Sequence, residues 1–190
     1  MASHYNFALF LRHTDKYTIL LVLYVDDMII TGDDFSGIQE LNDFLSEQFE
    51  MKDLGHLSYF LGLEITHSTD ELYITQAKYA SELFSQAGLI NSKTVDTPVE
   101  LNAHLTPTRG KLLSNPSLYR RLVGSLVYLT VTCPDFSYVV YQVSQYLSAP
   151  RSTHYAAILR ILRYLKGTLF HGLFYFAQSP LILHAFSDAD

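Results

Sequence analysis

Ile19-Leu-Leu-Val-Leu-Tyr-Val-Asp-Asp-Met-Ile-Ile30 sets two adjacent aspartates, Asp26 and Asp27, inside a run of strand-forming apolar residues. Like charges side by side repel, and each loses hydration if the flanking strands are buried. A hard divalent cation such as magnesium offsets both costs through carboxylate oxygens. A second reading stands beside this one: aspartate is at home in turns, where its side chain bonds the nearby backbone. The chain offers a comparison in Asp33-Asp34, an acidic pair after Gly32 that reads as a solvated turn. On either reading, residues 18–25 and 28–31 form a hairpin with Asp26-Asp27 at or beside its turn.

Composition narrows the classes. A chain of 190 residues, 48% hydrophobic and 14% aromatic, is globular, with room for one substantial core or two small units. The one cysteine, Cys133, excludes an internal disulfide and a cysteine-based zinc site, and it fits a reducing compartment. No secretory leader and no long uncharged apolar run are present, so the expected setting is intracellular, cytoplasmic or nuclear, with no membrane span. The net charge of -6 conceals an asymmetry. Residues 1–100 carry 5 Lys and Arg against 16 Asp and Glu, whereas residues 101–190 carry 8 against 3. The basic half offers a surface for phosphates, although a solvated helix face is the commoner source of modest positive charge.

Outward from the hairpin, Phe7-Ala-Leu-Phe10 is a short candidate strand and His13–Lys16 a turn. Ile38, Leu41, Phe44, Leu45 and Phe49 recur at helical spacing and predict an amphipathic helix over 36–49 that covers a sheet. Residues 59–66 read as a strand paired with 71–75, and Gly62 within it marks a bulge or a close backbone approach. Thr75 is the expected N-cap of a helix to Ala87, stopped by Gly88. Residues 91–116 turn polar and irregular, and the main boundary is placed there, where the charge reverses. Helices are then expected over 117–131, up to Leu147 after Pro134, and over 153–166. In the last, Arg160, Arg163 and Lys166 share a more exposed face at three-residue spacing. Residues 169–176 and 181–186 read as strands.

Several stretches together resemble copia-type long-terminal-repeat retrotransposon reverse transcriptases. They are Leu23-Tyr-Val-Asp-Asp-Met-Ile-Ile-Thr-Gly32, Phe49-Glu-Met-Lys-Asp-Leu-Gly55 and Tyr59-Phe-Leu-Gly-Leu-Glu64, then Tyr119-Arg-Arg-Leu-Val-Gly-Ser-Leu-Val-Tyr-Leu129, Ser148-Ala-Pro-Arg-Ser-Thr-His154 and Leu162-Arg-Tyr-Leu-Lys-Gly-Thr168. A lone YVDD is a weak signal; this ordered set spans nearly the whole chain. The resemblance implies an α+β fold. It would comprise part of a right-hand polymerase palm (an antiparallel sheet with helices), a mostly helical thumb and connection, and the first strands of a ribonuclease H-like domain. The expected divisions are 1–74 for the partial palm, 75–116 for a thumb-like helix and linker, 117–168 for the helical thumb and connection, and 169–190 for connection strands running into ribonuclease H.

By the same resemblance Asp26 and Asp27 are palm carboxylates holding two magnesium ions, with manganese as a second candidate. The implied partners are an RNA template, a DNA primer and deoxynucleoside triphosphates. Tyr24 would pack beside template or primer, and Tyr59, Phe60, Leu61 and Gly62 resemble a primer grip. Arg160, Arg163 and Lys166 would meet duplex phosphates, Lys52 is a candidate general acid for the departing pyrophosphate, and Asp188 is a ribonuclease H acid.

The sequence also departs from the family. Nothing before Tyr24 matches the first palm aspartate, Asp15 being the only earlier acid, and no fingers segment is recognised. Asn6-Phe-Ala-Leu-Phe10 stands where the family commonly reads aspartate-x-serine-leucine-phenylalanine, and Cys133 stands where it usually has arginine. Asp188 has no companion carboxylates of its kind. The chain by itself is therefore expected to be inactive. The alternative is a non-catalytic retroelement remnant serving as a nucleic-acid-binding or interaction module, with an unrelated metal-binding α+β domain behind it.

Overall fold

The computed structural model describes residues 9–100 and 104–180, together with 182 and 185. It is α+β, with antiparallel sheets and helices, and divides into two compact units, Met1–Phe60 and Leu61–Asp190. No described helix is long and apolar enough to cross a membrane. The expected strand start at Phe7, most of the expected strand 181–186, and Asp188 lie outside the described residues.

In the first unit, β1 (Leu9–His13), β2 (Thr18–Tyr24) and β3 (Asp27–Gly32) form an antiparallel sheet in that order. Leu21 pairs with Ile30, Leu23 with Met28 and Tyr24 with Asp27. The hairpin therefore turns on Val25 and Asp26, and Asp27 is already a strand residue. Helix α1 (Phe35–Gln48) follows, one residue ahead of the expected start. Asp34 caps it, accepting from the Gly37 amide at 3.0 Å, while Asp33 accepts from the Thr18 amide. The acidic pair read as a plain solvated turn is thus a helix cap and a tie to β2. Gly37 is buried against Ile19, where a β-carbon would stand 2.8 Å from Ile19 Cδ1. That contact holds α1 on the sheet. The expected apolar stripe is only partly correct: Ile38, Leu41 and Leu45 are half-buried, but Phe44 and Phe49 are exposed. A sheet of three strands is too narrow to cover all five positions. The short strand β4 (Tyr59–Phe60) ends this unit.

In the second unit, β5 (Leu63–His67), β6 (Glu71–Thr75) and β7 (Leu173–Phe176) form antiparallel pairs in that order. The single strand expected over 59–66 is interrupted because Leu61 and Gly62 take φ of +50° and +83°. β7 joins the β5–β6 pair, with Ile74 opposite Leu173. Helix α2 (Ala77–Gln86) starts later than expected, since Thr75 still belongs to β6. Gln76 stands at its cap position but turns inward, accepting from the Thr132 hydroxyl at 2.8 Å. Glu64 of β5 supplies the capping oxygen instead, to the Lys78 amide at 2.8 Å. Gly88, at φ +68°, ends the helix as expected.

Helices α3 (Pro116–Leu129), α4 (Ser137–Ser144) and α5 (Ser152–Gly167) supply most of the core. Asn115 caps α3 and Pro116 takes its first position, where a missing N–H costs nothing. Leu122, Val123, Leu126 and Leu129 of α3 meet Val139, Val140 and Val143 of α4 in one cluster. Ile158, Ile161, Leu162 and Leu165 of α5 and Leu83 and Phe84 of α2 join it. Each such burial contributes about 1.5–3 kcal/mol.

The expected boundary over 91–116 lies inside this unit. That segment lacks helix but is fastened to α5 by side chains. Arg151 donates to the Pro107 and Gly110 carbonyls at 2.7 and 2.8 Å, and Thr153 donates to the Arg109 carbonyl. His154, fully buried, accepts from the Arg151 amide through Nδ1 and so presents an Nε2 proton to the Thr106 carbonyl at 3.0 Å. The Ser148–His154 motif is therefore a clamp on residues 106–111.

At the other end of α5, the Tyr164 hydroxyl donates to Asp135 at 2.5 Å. That hydrogen bond, with burial adding to it, raises the phenol from 10.0 to about 12. An unfolded chain loses this proton first, so the contribution is intact below pH 10 and is lost as pH rises toward 12. Tyr164→Phe is expected to flatten that part of the alkaline limb in melting temperature against pH. Tyr119, also raised by burial, stays in both proteins. Superimposable alkaline limbs would contradict the assignment.

Candidate catalytic hairpin and nucleic-acid contacts

The β2–β3 hairpin closes through two residues. Val25 is 78% exposed and holds φ of +50°, a region where β-branched residues are outliers and two-residue hairpins favour glycine. Strain of this kind costs on the order of 1–3 kcal/mol and gathers at functional sites. Here it projects Asp26 from the tip. Asp27 pairs across the ladder with Tyr24, so the two share one sheet face, and all three side chains are exposed.

Two adjacent carboxylates offer hard oxygen donors. They suit a small divalent cation that keeps several waters and takes its remaining ligands from phosphates. Among the described residues no group of three or more His, Cys, Asp or Glu side chains gathers to hold a metal ion. Asp26 and Asp27 thus fit a metal as part of a donor set.

Lys52 is exposed in the irregular segment after α1, where neighbouring Asp53 accepts from the Gly55 amide. Tyr59 is exposed and Phe60 half-buried. Gly62 takes φ of +83°, and a β-carbon there would meet the Tyr128 ring of α3 at 3.4 Å, an ordinary packing contact. The basic row separates into different environments. Arg160 pairs with Glu100 at 3.1 Å and donates to the Thr97 hydroxyl at 3.0 Å. Lys166 donates to the carbonyls of Leu89, Ile90 and Ser92, which occupies its three protons. Neither stands on the free face expected of it. Arg163 is half-buried on the same helix. Burial pushes the Cys133 thiol up, opposed in part by its hydrogen bond with Thr132. A protonated thiol is a poor nucleophile.

Sequence reading missed Glu64, Tyr128, Arg151 and His154 as residues that set the shape of these segments. Their signal was membership in the quoted motifs, since none lies on an apolar stripe.

The family model for reverse transcriptase (RNA-dependent DNA polymerase) matches residues 2–101. The chain is 40% identical over 183 residues to the retrovirus-related Pol polyprotein from transposon RE2 of Arabidopsis thaliana, covering 96% of this chain and 13% of that protein. It is 37% identical over 192 residues to the Pol polyprotein from transposon TNT 1-94 of Nicotiana tabacum, covering 95% and 14%. An uncharacterised mitochondrial protein of Arabidopsis thaliana is 41% identical over 170 residues, covering 90% of this chain and 70% of that one. No solved structure matches. With a hairpin of two exposed carboxylates on an α+β frame, the chain belongs to the reverse transcriptase family. Its kin are the copia-type Pol polyproteins, of whose length it spans about one seventh or less.

Proposed function

We propose that this chain is the palm-to-thumb part of a copia-type RNA-directed DNA polymerase, and that Asp26 and Asp27 are two of its metal-binding carboxylates. The observation that carries the reading is the strained two-residue turn that projects Asp26 while Asp27 and Tyr24 face one side of the sheet. Asp26, at the tip, is the direct ligand, and Asp27 assists from the first position of β3. Bound divalent cations supply activation of the primer 3′ hydroxyl and neutralisation of the charge that leaves with pyrophosphate. The chain's residues orient what reacts. Tyr24 lies against the template-primer, and the Leu61–Gly62 turn meets the primer end. Lys52 offers a proton to the departing pyrophosphate. Template RNA, primer DNA and deoxynucleoside triphosphates are the partners this assigns.

For the duplex beyond the primer end, Arg163 is the phosphate contact of α5. Arg160 and Lys166 act mainly on the fold, because both terminal nitrogens of Arg160 and the Lys166 ammonium already bond to acceptors within the chain. Binding of a primer-template duplex is tested by titration over a range of salt. Affinity is expected to be weak and to fall steeply with salt, and Arg163→Ala is expected to reduce the log-log slope by about one. Lys166→Ala is expected to lower the melting temperature and leave the slope unchanged. Salt-insensitive binding, or no binding at low salt, would remove the basic half from the nucleic-acid surface.

A further inference from the structure

Tyr128 fastens the Leu61–Gly62 turn to the helices of the second unit. Its hydroxyl donates to the Leu61 carbonyl. Its ring lies along the Gly62 backbone, so that a β-carbon on Gly62 would stand 3.4 Å from Tyr128 Cε1 and 3.5 Å from the phenol oxygen. Tyr79 of α2 meets the same ring edge-on, with centroids 5.2 Å apart and planes at 88°. The turn needs such a support. Leu61 holds φ of +50°, a region that costs a side-chain-bearing residue about 1–2 kcal/mol and persists only when its surroundings over-determine it. One end of the following strand is held as well, through the bond from the Lys78 amide to Glu64. Leu61 itself is 37% exposed, which leaves the turn open to a ligand.

We infer that Tyr128 is a positioning residue: through its hydroxyl bond to the Leu61 carbonyl it keeps the Leu61–Gly62 turn in the shape that receives a recessed primer terminus. This rests on the proposed reading of that turn as a primer contact. Nothing in the sequence pattern assigns Tyr128 a role, because it lies off the buried stripe of α3, next to the fully packed Leu126 and Leu129.

Tyr128→Phe deletes the donated bond and keeps the ring between Gly62 and Tyr79. Two quantities are measured on the full chain: amide hydrogen exchange at residues 61–63, and affinity for a DNA primer on a longer RNA template relative to a blunt duplex. Exchange is expected to rise by about tenfold, the size of one lost hydrogen bond. Preference for the recessed end is expected to fall by roughly fivefold, while blunt-duplex affinity and melting temperature stay as they were. Tyr128→Leu removes the ring contact too, and is expected to lower the melting temperature along with the preference. Faster exchange with the preference intact would overturn the inference, as would equal losses for recessed and blunt duplexes. If the unaltered chain shows no preference for a recessed end, the primer reading of the turn fails and the inference falls with it. The exchange rates then still report whether Tyr128 holds the turn.

Discussion

Asp26→Asn is expected to reduce magnesium-dependent primer extension by about a thousandfold when residues 9–100 replace the matching segment of a competent copia-type polymerase. Asparagine preserves the size of the side chain and most of its hydrogen bonding, so the hairpin should keep its shape. The change removes one negative charge from a donor that balances a divalent cation. Metal stabilisation of a phosphoryl-transfer transition state is worth several kcal/mol, and each 1.36 kcal/mol is a factor of ten in rate. Asp27→Asn is expected to cost less, about tenfold to a hundredfold, because Asp27 is the assisting ligand in the proposed arrangement. The control is Asp33→Asn in the other acidic pair. Asp33 only accepts from the Thr18 amide, and extension should stay within about twofold. The 190-residue chain assayed alone is expected to incorporate no nucleotide, since two-metal phosphoryl transfer needs more donors than the two carboxylates of one hairpin. Extension that survives Asp26→Asn, measured as single-turnover primer elongation, would remove the metal role from the tip. Robust extension by the chain alone that Asp26→Asn abolishes would instead reverse the expected inactivity.

The comparison of the two acidic pairs shows where sequence was informative. At Asp26-Asp27 the flanking apolar runs marked a hairpin correctly, within one residue. Which residues turned was hidden, because valine at a positive φ is the last choice that turn statistics offer. At Asp33-Asp34 the polar setting suggested solvent, but both side chains find backbone amides. Strong helical stripes were legible, and α3 and α5 fall within two residues of their expected ends. The break at Leu61–Gly62 was legible only in part: Gly62 marked an irregularity, but leucine continues a strand pattern, and the bond from Tyr128, far along the chain, carries no local signal. The same reason explains residues 91–116. Their polarity looks like a solvated linker, yet their carbonyls are satisfied by Arg151 and Lys166 from a helix more than forty residues on. Arg160 and Lys166 were read by their charge and spacing, and the Arg160 acceptors, with Ser92 among those of Lys166, lay in the very segment taken for a linker. Sequence thus placed Asp26-Asp27 at the hairpin turn and did not reveal that Arg160 and Lys166 bond to acceptors within the chain.

Tyr119→Ala is expected to destabilise the second unit by about 4 kcal/mol, the range seen when a large aromatic is removed from a close-packed core. Tyr119 is fully buried on α3, and its hydroxyl donates to the Val143 carbonyl of α4 at 2.6 Å. Burial also pushes its phenol above the usual range, with Tyr146 nearby adding to the effect, so the group is a neutral donor across ordinary pH. Two losses therefore combine in the alanine variant: the ring leaves a cavity, and a buried carbonyl near the end of α4 loses its partner. Tyr119→Phe separates them, because it keeps the ring and deletes only the donor, at an expected cost of about 1–2 kcal/mol. The Val143 side chain is itself fully buried beside this bond, so water has no easy route to replace the missing hydroxyl. Exposed Tyr138, on the outer side of α4, gives the reference: Tyr138→Ala should change stability by less than about 0.5 kcal/mol. Urea unfolding followed by tyrosine fluorescence reads all three. A Tyr119→Ala cost below about 1 kcal/mol would mean that α3 and α4 do not meet around this ring. A Phe cost equal to the Ala cost would mean that the hydroxyl, and not the ring, joins the two helices.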